Sequence, residues 1–155
     1  MTAQVSGSAP ALRAATIVFD GGSRGNPGEG YGSFTFVLKR KAGEERTRSD
    51  AGKTGVIRLS LGANMTNNEA EYDTLIYALR LFLAHLEERK EDPKGIALEI
   101  QGDSRLVIKQ VSGEWKAHEK RLAKRRDTVR ELLSRFGQYR LVYQPRARSV
   151  ALFGH

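Results

Sequence analysis

The chain has 155 residues, a formal charge of +8 and no cysteine. This length suits one domain with a core of its own, and the missing cysteines exclude disulfides and thiolate metal sites. No apolar run is long enough to span a bilayer, and Met1 to Pro10 has neither the basic region nor the apolar core of a signal peptide. The expectation is a flexible tail over residues 1–13, a domain over 14–155, a reducing cytoplasmic location and no membrane partner.

The charge is unevenly placed. Residues 109–155 hold 12 Lys/Arg against 4 Asp/Glu, whereas residues 1–108 hold 14 of each. A one-sided basic field suits a polyanion such as nucleic acid, and a solvated helix face is the plainer alternative.

In chain order, Ala14 to Phe19 reads as a strand ended by Asp20, with the glycine-rich stretch Gly21-Gly22-Ser23-Arg24-Gly25-Asn26-Pro27-Gly28 as a turn. Gly30 to Arg40 reads as a second strand, and Lys41 to Glu45 as a polar turn. Arg46 to Leu61 holds a third strand or a pair of strands, so an antiparallel meander is predicted. The period then changes. Thr66 to Arg89 reads as a helix with apolar residues at Ala70, Leu75, Ala78, Leu79, Phe82, Leu83 and Leu86. Thr66 and Glu69 have the spacing of a capping box. Gly95 to Gln101 is a fourth strand and Ser104 to Ser112 a short helix. Glu119 to Phe136 is a basic amphipathic helix and Tyr139 to Tyr143 a fifth strand. Strands four and five follow helices, which favours parallel pairing with strand one in a mixed sheet whose faces are covered by helices.

Three acidic residues stand at informative places. Asp20 and Asp103 each end an apolar strand, and Glu71 lies near the start of the long helix. Adjacent parallel strands would bring the two aspartates to one sheet edge, and Glu71 can point back to it. Three carboxylates in contact repel unless a cation neutralises them. Hard oxygen ligands select Mg²⁺ or Mn²⁺, and two such ions about 3.5–4 Å apart activate water and stabilise the leaving oxygen of a phosphodiester. Each residue also has a structural alternative: Asp20 as an Asx turn, Glu71 as a first-turn charge on the helix dipole, Asp103 with Ser104 as an N-cap. Their joint occurrence favours the metal-dependent nuclease.

The motifs resemble those of the type I ribonucleases H over about Ala15 to Arg146. Asp-Gly-Gly-Ser-Arg-Gly-Asn-Pro-Gly at 20–28 is similar to the opening motif of that family, and Thr-Asn-Asn-Glu-Ala-Glu-Tyr at 66–72 to its helix motif. Gly-Asp-Ser at 102–104 resembles the third block, with Leu106-Val107, Gln110 and Gly113-Glu114-Trp115 behind it. The resemblance implies an RNase H-like α/β fold: a five-stranded mixed sheet, its first three strands antiparallel, flanked by helices. It also implies an endonuclease that hydrolyses the RNA strand of RNA–DNA hybrids with two Mg²⁺ or Mn²⁺ ions held by Asp20, Glu71 and Asp103. Asn26, Asn67 and Asn68 resemble residues that line the minor groove and the RNA side, where the 2′-OH can be read by polar groups. Thr66 resembles a residue that holds a DNA phosphate. Arg105 is a candidate groove or phosphate contact, with a surface role as its alternative. Trp115 is a candidate for stacking on the DNA sugars, with a core role as its alternative. A monomer is expected. Many family members carry a separate basic protrusion that grips DNA. Here little room is left for one, so Lys116, Lys120, Arg121, Lys124, Arg125 and Arg126 are candidates to supply that charge.

One part of the family pattern is missing. A fourth carboxylate is expected after strand five, in a stretch opening a last helix. Here Ser149 takes the place of an Asn, Phe153 falls where the Asp belongs, and no Asp or Glu follows Glu131. The last helix is therefore expected to be absent or truncated. Three outcomes are open: His155 or its terminal carboxylate serves as the fourth group; three carboxylates suffice with slower turnover; or the chain binds hybrid or double-stranded nucleic acid without cutting it.

Overall fold

The computed structural model describes residues 11–40, 55–145 and 152–153. The elements in chain order are strands β1 (Arg13–Gly25), β2 (Gly28–Leu38) and β3 (Ile57–Met65), then helix α1 (Asn67–Glu88). A short 3₁₀ turn at Pro93–Gly95 leads into β4 (Ile96–Gly102). Helices α2 (Arg105–Ser112) and α3 (Lys120–Leu133) precede β5 (Gln138–Tyr143). The sheet order is β3-β2-β1-β4-β5; β1–β2 and β2–β3 are antiparallel, and β4 is parallel to both β1 and β5.

The mixed sheet agrees with the sequence reading, but two features correct it. Asp20 does not close β1. The strand runs on through the glycine-rich stretch to Gly25, with Asp20 opposite Ser33 and Gly25 opposite Gly28. The turn itself is only Asn26-Pro27, and Gly25 takes the positive φ of 94° that such a tight connection requires. The helices are the second correction. The buried strand residues Ala15, Ile17, Phe19, Phe34, Phe36, Leu38, Ile96, Leu98 and Ile100 all belong to one core with the apolar sides of α1, α2 and α3. Alternation and register place them on a single sheet face. The intervening Thr16, Val18, Thr35, Glu99 and Gln101 are half-buried, so among the described residues the helices cover one face rather than both.

Helix α1 is the backbone of the core. Phe82 lies against Phe36 at 5.0 Å between ring centroids and stacks on Phe136 at 5.9 Å. Its start is fixed by the capping box anticipated from Thr66 and Glu69: the Thr66 hydroxyl accepts from the Glu69 amide, and the Glu69 carboxylate accepts from the Thr66 amide. Close approach to the sheet is made possible by missing side chains. A Cβ on Gly32 would sit 1.9 Å from Thr74 Oγ1, and one on Gly21 would sit 2.8 Å from the Ala70 carbonyl. Glycines at these two strand positions let the first turns of α1 lie almost on the backbone of β1 and β2.

The basic helix α3 is held to α1 by charge. Arg125 donates to both Asp73 oxygens, at 2.8 and 3.4 Å, and its guanidinium also lies 3.3 Å from Glu69. Arg121 approaches Glu69 at 3.5 Å. Arg126 pairs likewise with Asp127, while Arg121 keeps 57 % of its side chain exposed. Lys116, Lys120 and Lys124 are exposed.

Replacing Gly32 with Ala should cost roughly 1–3 kcal/mol, because the added methyl pushes α1 off the sheet; urea denaturation measures it, and adding Thr74→Ala should recover part of the loss. Glu69 carries a second prediction. Burial alone would raise its pKa, but the Thr66 amide and hydroxyl, with Arg121 and Arg125, outweigh that and lower it below 4.5. A lowered folded value stabilises the protein above the unfolded pKa, and that contribution disappears as pH falls through the folded one. Urea midpoints followed from about pH 6 to about pH 3 should therefore fall less steeply for Glu69→Gln than for the unaltered chain.

Candidate metal centre and nucleic-acid interface

The two aspartates are in step because β1 and β4 are. Their parallel ladder ends on the pair Phe19–Gly102, so the next residue on each strand is an aspartate. Gly102 makes that pairing possible beside a large neighbour, since a Cβ there would stand 2.5 Å from the Phe19 ring. Asp20 is 4 % exposed, locked by its pairing with Ser33, and it belongs to a strand rather than an Asx turn. Glu71 comes from the second turn of α1. Glu69, not Glu71, supplies the first-turn charge, so the dipole alternative does not account for Glu71. Ligand oxygens of Asp20, Glu71 and Asp103 all lie within 4.8 Å of one another.

Ser104 joins two members of this set. It caps α2, accepting from the Val107 amide at 3.2 Å, and its hydroxyl donates to Glu71 Oε1 at 2.9 Å. The cap role considered for Asp103 thus belongs to Ser104 alone. The same hydroxyl orients the carboxylate across the cluster, a contact between α1 and α2 that linear spacing does not reveal.

The cluster meets the chemical requirements of a divalent metal site. All three donors are hard carboxylate oxygens, no imidazole or thiolate is among them, and their crowding is unfavourable without a cation.

Of the proposed substrate residues, three act first within the protein. The Asn67 side-chain oxygen accepts from the Ser23 amide at 2.8 Å and from the Ser23 hydroxyl at 3.0 Å. The Asn67 amide donates to Asn26 Oδ1 at 3.0 Å. Together they latch the β1–β2 hairpin to the start of α1. Thr66 uses its hydroxyl in the capping box. Asn67 is the centre of this latch; Ser23, which sequence reading did not single out, is one of its partners, and its place in the opening motif is the signal that was available.

Asn68 lies in an open groove of about 590 Å³ that also holds Leu106, Gln110, Trp115 and Lys116. Trp115 is 45 % exposed, which removes its core alternative. Its loop is tied down by its own amide, 3.0 Å from the Lys109 carbonyl, and by Gln110, whose side chain donates to Lys116 O. The buried Tyr72 hydroxyl donates to the other end of that Gln110 amide at 2.7 Å, and burial pushes the phenol pKa up. Arg105 is exposed at the start of α2, with its guanidinium carbon 4.8 Å from the centre of the Tyr143 ring.

At the far end of the chain, Phe153 is 2 % exposed yet outside the main core cluster. Its carbonyl accepts from Arg58 at 3.2 Å. Leu152 and Phe153 have helical backbone, where the sequence reading has the last helix absent or truncated. His155 and Ser149 lie outside the described residues.

Comparison with known proteins agrees with this geometry. The model of the family described as "Reverse transcriptase-like" matches residues 27–151. Ribonuclease HI of Halobacterium salinarum is 36% identical over 129 residues, which are 83% of this chain and 55% of that protein; the chain thus spans about half the length of that curated relative. The crystal structure of RNase H1 from Halobacterium salinarum superposes with a TM-score of 0.69 at 32% identity, over 90% of this chain and 93% of the other. LC11-RNase H1, solved in complex with an RNA/DNA hybrid, gives 0.67 at 25% identity, over 89% and 90%. A chain with this sheet order, this carboxylate cluster and these relatives belongs to the type 1 ribonuclease H group of the reverse transcriptase-like family.

Proposed function

We propose that the protein is an endonuclease that hydrolyses the RNA strand of RNA–DNA hybrids, with Asp20, Glu71 and Asp103 as its metal ligands. The convergence of those three side chains within 4.8 Å carries the reading. A bound pair of Mg²⁺ or Mn²⁺ ions would supply an activated water and charge stabilisation for the leaving oxygen. The rest is the work of the chain. Asp20, on the central strand and almost fully buried, is the least mobile of the three donors. Ser104 holds the Glu71 carboxylate in a fixed direction. The hairpin latch of Asn26, Ser23 and Asn67 presents backbone and amide groups beside the cluster, where a 2′-OH can be told from a deoxyribose. Asn68 and Trp115 line the adjoining groove, a surface suited to the partner DNA strand.

The missing fourth carboxylate bears on strength rather than kind. Phe153 places hydrocarbon where the family pattern has an acid, so one of two metal sites would bind more weakly. His155 remains the candidate to replace it. The chain is read as a cytoplasmic monomer, and its lack of cysteine fits a reducing compartment. No described helix is long and apolar enough to cross a membrane.

Cleavage of labelled hybrid, duplex DNA and duplex RNA, each in Mg²⁺ and in Mn²⁺, tests the function; only the hybrid should be cut. Asp20→Asn should lower the rate by at least about 10²-fold, since even residues that merely support metal ligands reach that scale. Cleavage by Asp20→Asn at the unaltered rate contradicts the assignment, whereas binding of hybrid with no cleavage in either metal favours the non-cutting module. Ser104→Ala should lower stability by about 1 kcal/mol through loss of the cap. It should also raise the metal concentration needed for half-maximal activity, whereas Ser104→Thr should preserve both properties.

A further inference from the structure

Arg105 is an unusual cation for its position. It opens α2, where the positive end of the helix dipole disfavours a guanidinium, and no acidic residue stands in that first turn. Three other exposed arginines sit on carboxylates, Arg121 on Glu119, Arg135 on Glu131 and Arg140 on Glu99, whereas Arg80 on α1 is exposed without such a partner among the described residues. Among the described residues Arg105 forms no ion pair, and its recorded partner is an aromatic ring, that of Tyr143. Tyr143 ends β5 directly beside Gly102 of β4, and the Gln144 amide extends the pairing by donating to the Gly102 carbonyl at 2.7 Å. The ring is therefore fixed to the strand that delivers Asp103. It remains 39 % exposed, so the stack lies at the surface beside the cluster.

Attraction to a ring face does not consume the N–H donors of a guanidinium. A planar fork with donors to spare, held near one place by the ring, matches the oxygens of a phosphate. Placing a cation there does nothing for helix stability, yet the fold supplies a ring to hold it.

We propose that Arg105 and Tyr143 form a phosphate subsite for the hybrid next to the carboxylate cluster. Arg105 contacts the phosphate, and Tyr143 is the positioning residue that fixes the guanidinium. The proposal rests on the hybrid-cleaving reading above and adds to it which chemical group Arg105 meets and what aims it.

The test measures hybrid binding by fluorescence anisotropy in EDTA, where no cleavage occurs, across a series of salt concentrations. Thermal unfolding of each variant accompanies it. Arg105→Ala should weaken binding about 5–10-fold and reduce the slope of log affinity against log salt by about 0.7–0.9, the value for one lost phosphate contact. Tyr143→Ala should weaken binding about 2–5-fold, whereas Tyr143→Phe, which keeps the ring, should bind as the unaltered chain does. In the Arg105→Ala background, Tyr143→Ala should add nothing. A merely structural role for Tyr143 would lower the unfolding temperature and weaken binding equally in both backgrounds, which overturns the proposal. Unchanged binding by Arg105→Ala overturns it too, as does weaker binding with an unchanged salt slope, because the contact is then not to a phosphate. If the unaltered chain cleaves hybrid while these variants bind normally, the subsite alone is wrong. A chain that neither binds nor cleaves hybrid removes the functional reading and the subsite together.

Discussion

Three carboxylates within 4.8 Å repel one another, and the fold has to hold them there. It does so with strand pairing and close packing. The parallel ladder of β1 and β4 ends on Phe19–Gly102, so both aspartates leave the ladder at the same level. Helix α1 then brings Glu71 down to that level, because Gly21 and Gly32 leave no side chain between helix and sheet. A Cβ on Gly102 would break the first arrangement, and one on Gly32 would break the second. Gly21, Gly32 and Gly102 therefore set distances at the site.

Polar contacts complete the frame at its edges. Ser104 couples the start of α2 to Glu71, and the Asn26–Ser23–Asn67 latch couples the β1–β2 hairpin to the start of α1. Tyr72 and Gln110 do the same deeper in the protein, linking α1 to the loop that presents Trp115. Each links segments distant in sequence, and each ends beside the carboxylates or the groove. Rigid support of this kind lets a site built from three separate elements keep one geometry.

The charge of the last third divides in a way that its total conceals. Arg125 pairs with Asp73 and Glu69, and the more exposed Arg121 with Glu69, so that both tie α3 to α1. Arg130 donates to the carbonyls of Val111 and Gln110 and secures the end of α2. Lys116, Lys120 and Lys124 remain at the surface. The basic third thus supplies both exposed lysines and the ties that hold α3 to α1 and α2.

Sequence alone determined the order and type of the elements, the capping box of α1 and the three acidic candidates. These are local properties: periodicity, turn chemistry and residues at strand ends all act over a few neighbours. It misjudged where β1 ends, since glycines that look like a turn in isolation become strand once β2 pairs with them at Gly21–Gly32 and Gly22–Tyr31. It could not decide between groove and core for Trp115, or between surface and nucleic acid for Arg121 and Arg125, because exposure and ion pairing depend on what packs alongside. Only the tertiary structure brought Asp20, Glu71 and Asp103 into contact, gave Ser104 its second partner and laid Arg105 on Tyr143. The physical reason is the same in each case: a side chain's role is set by groups that the fold brings beside it from distant parts of the chain.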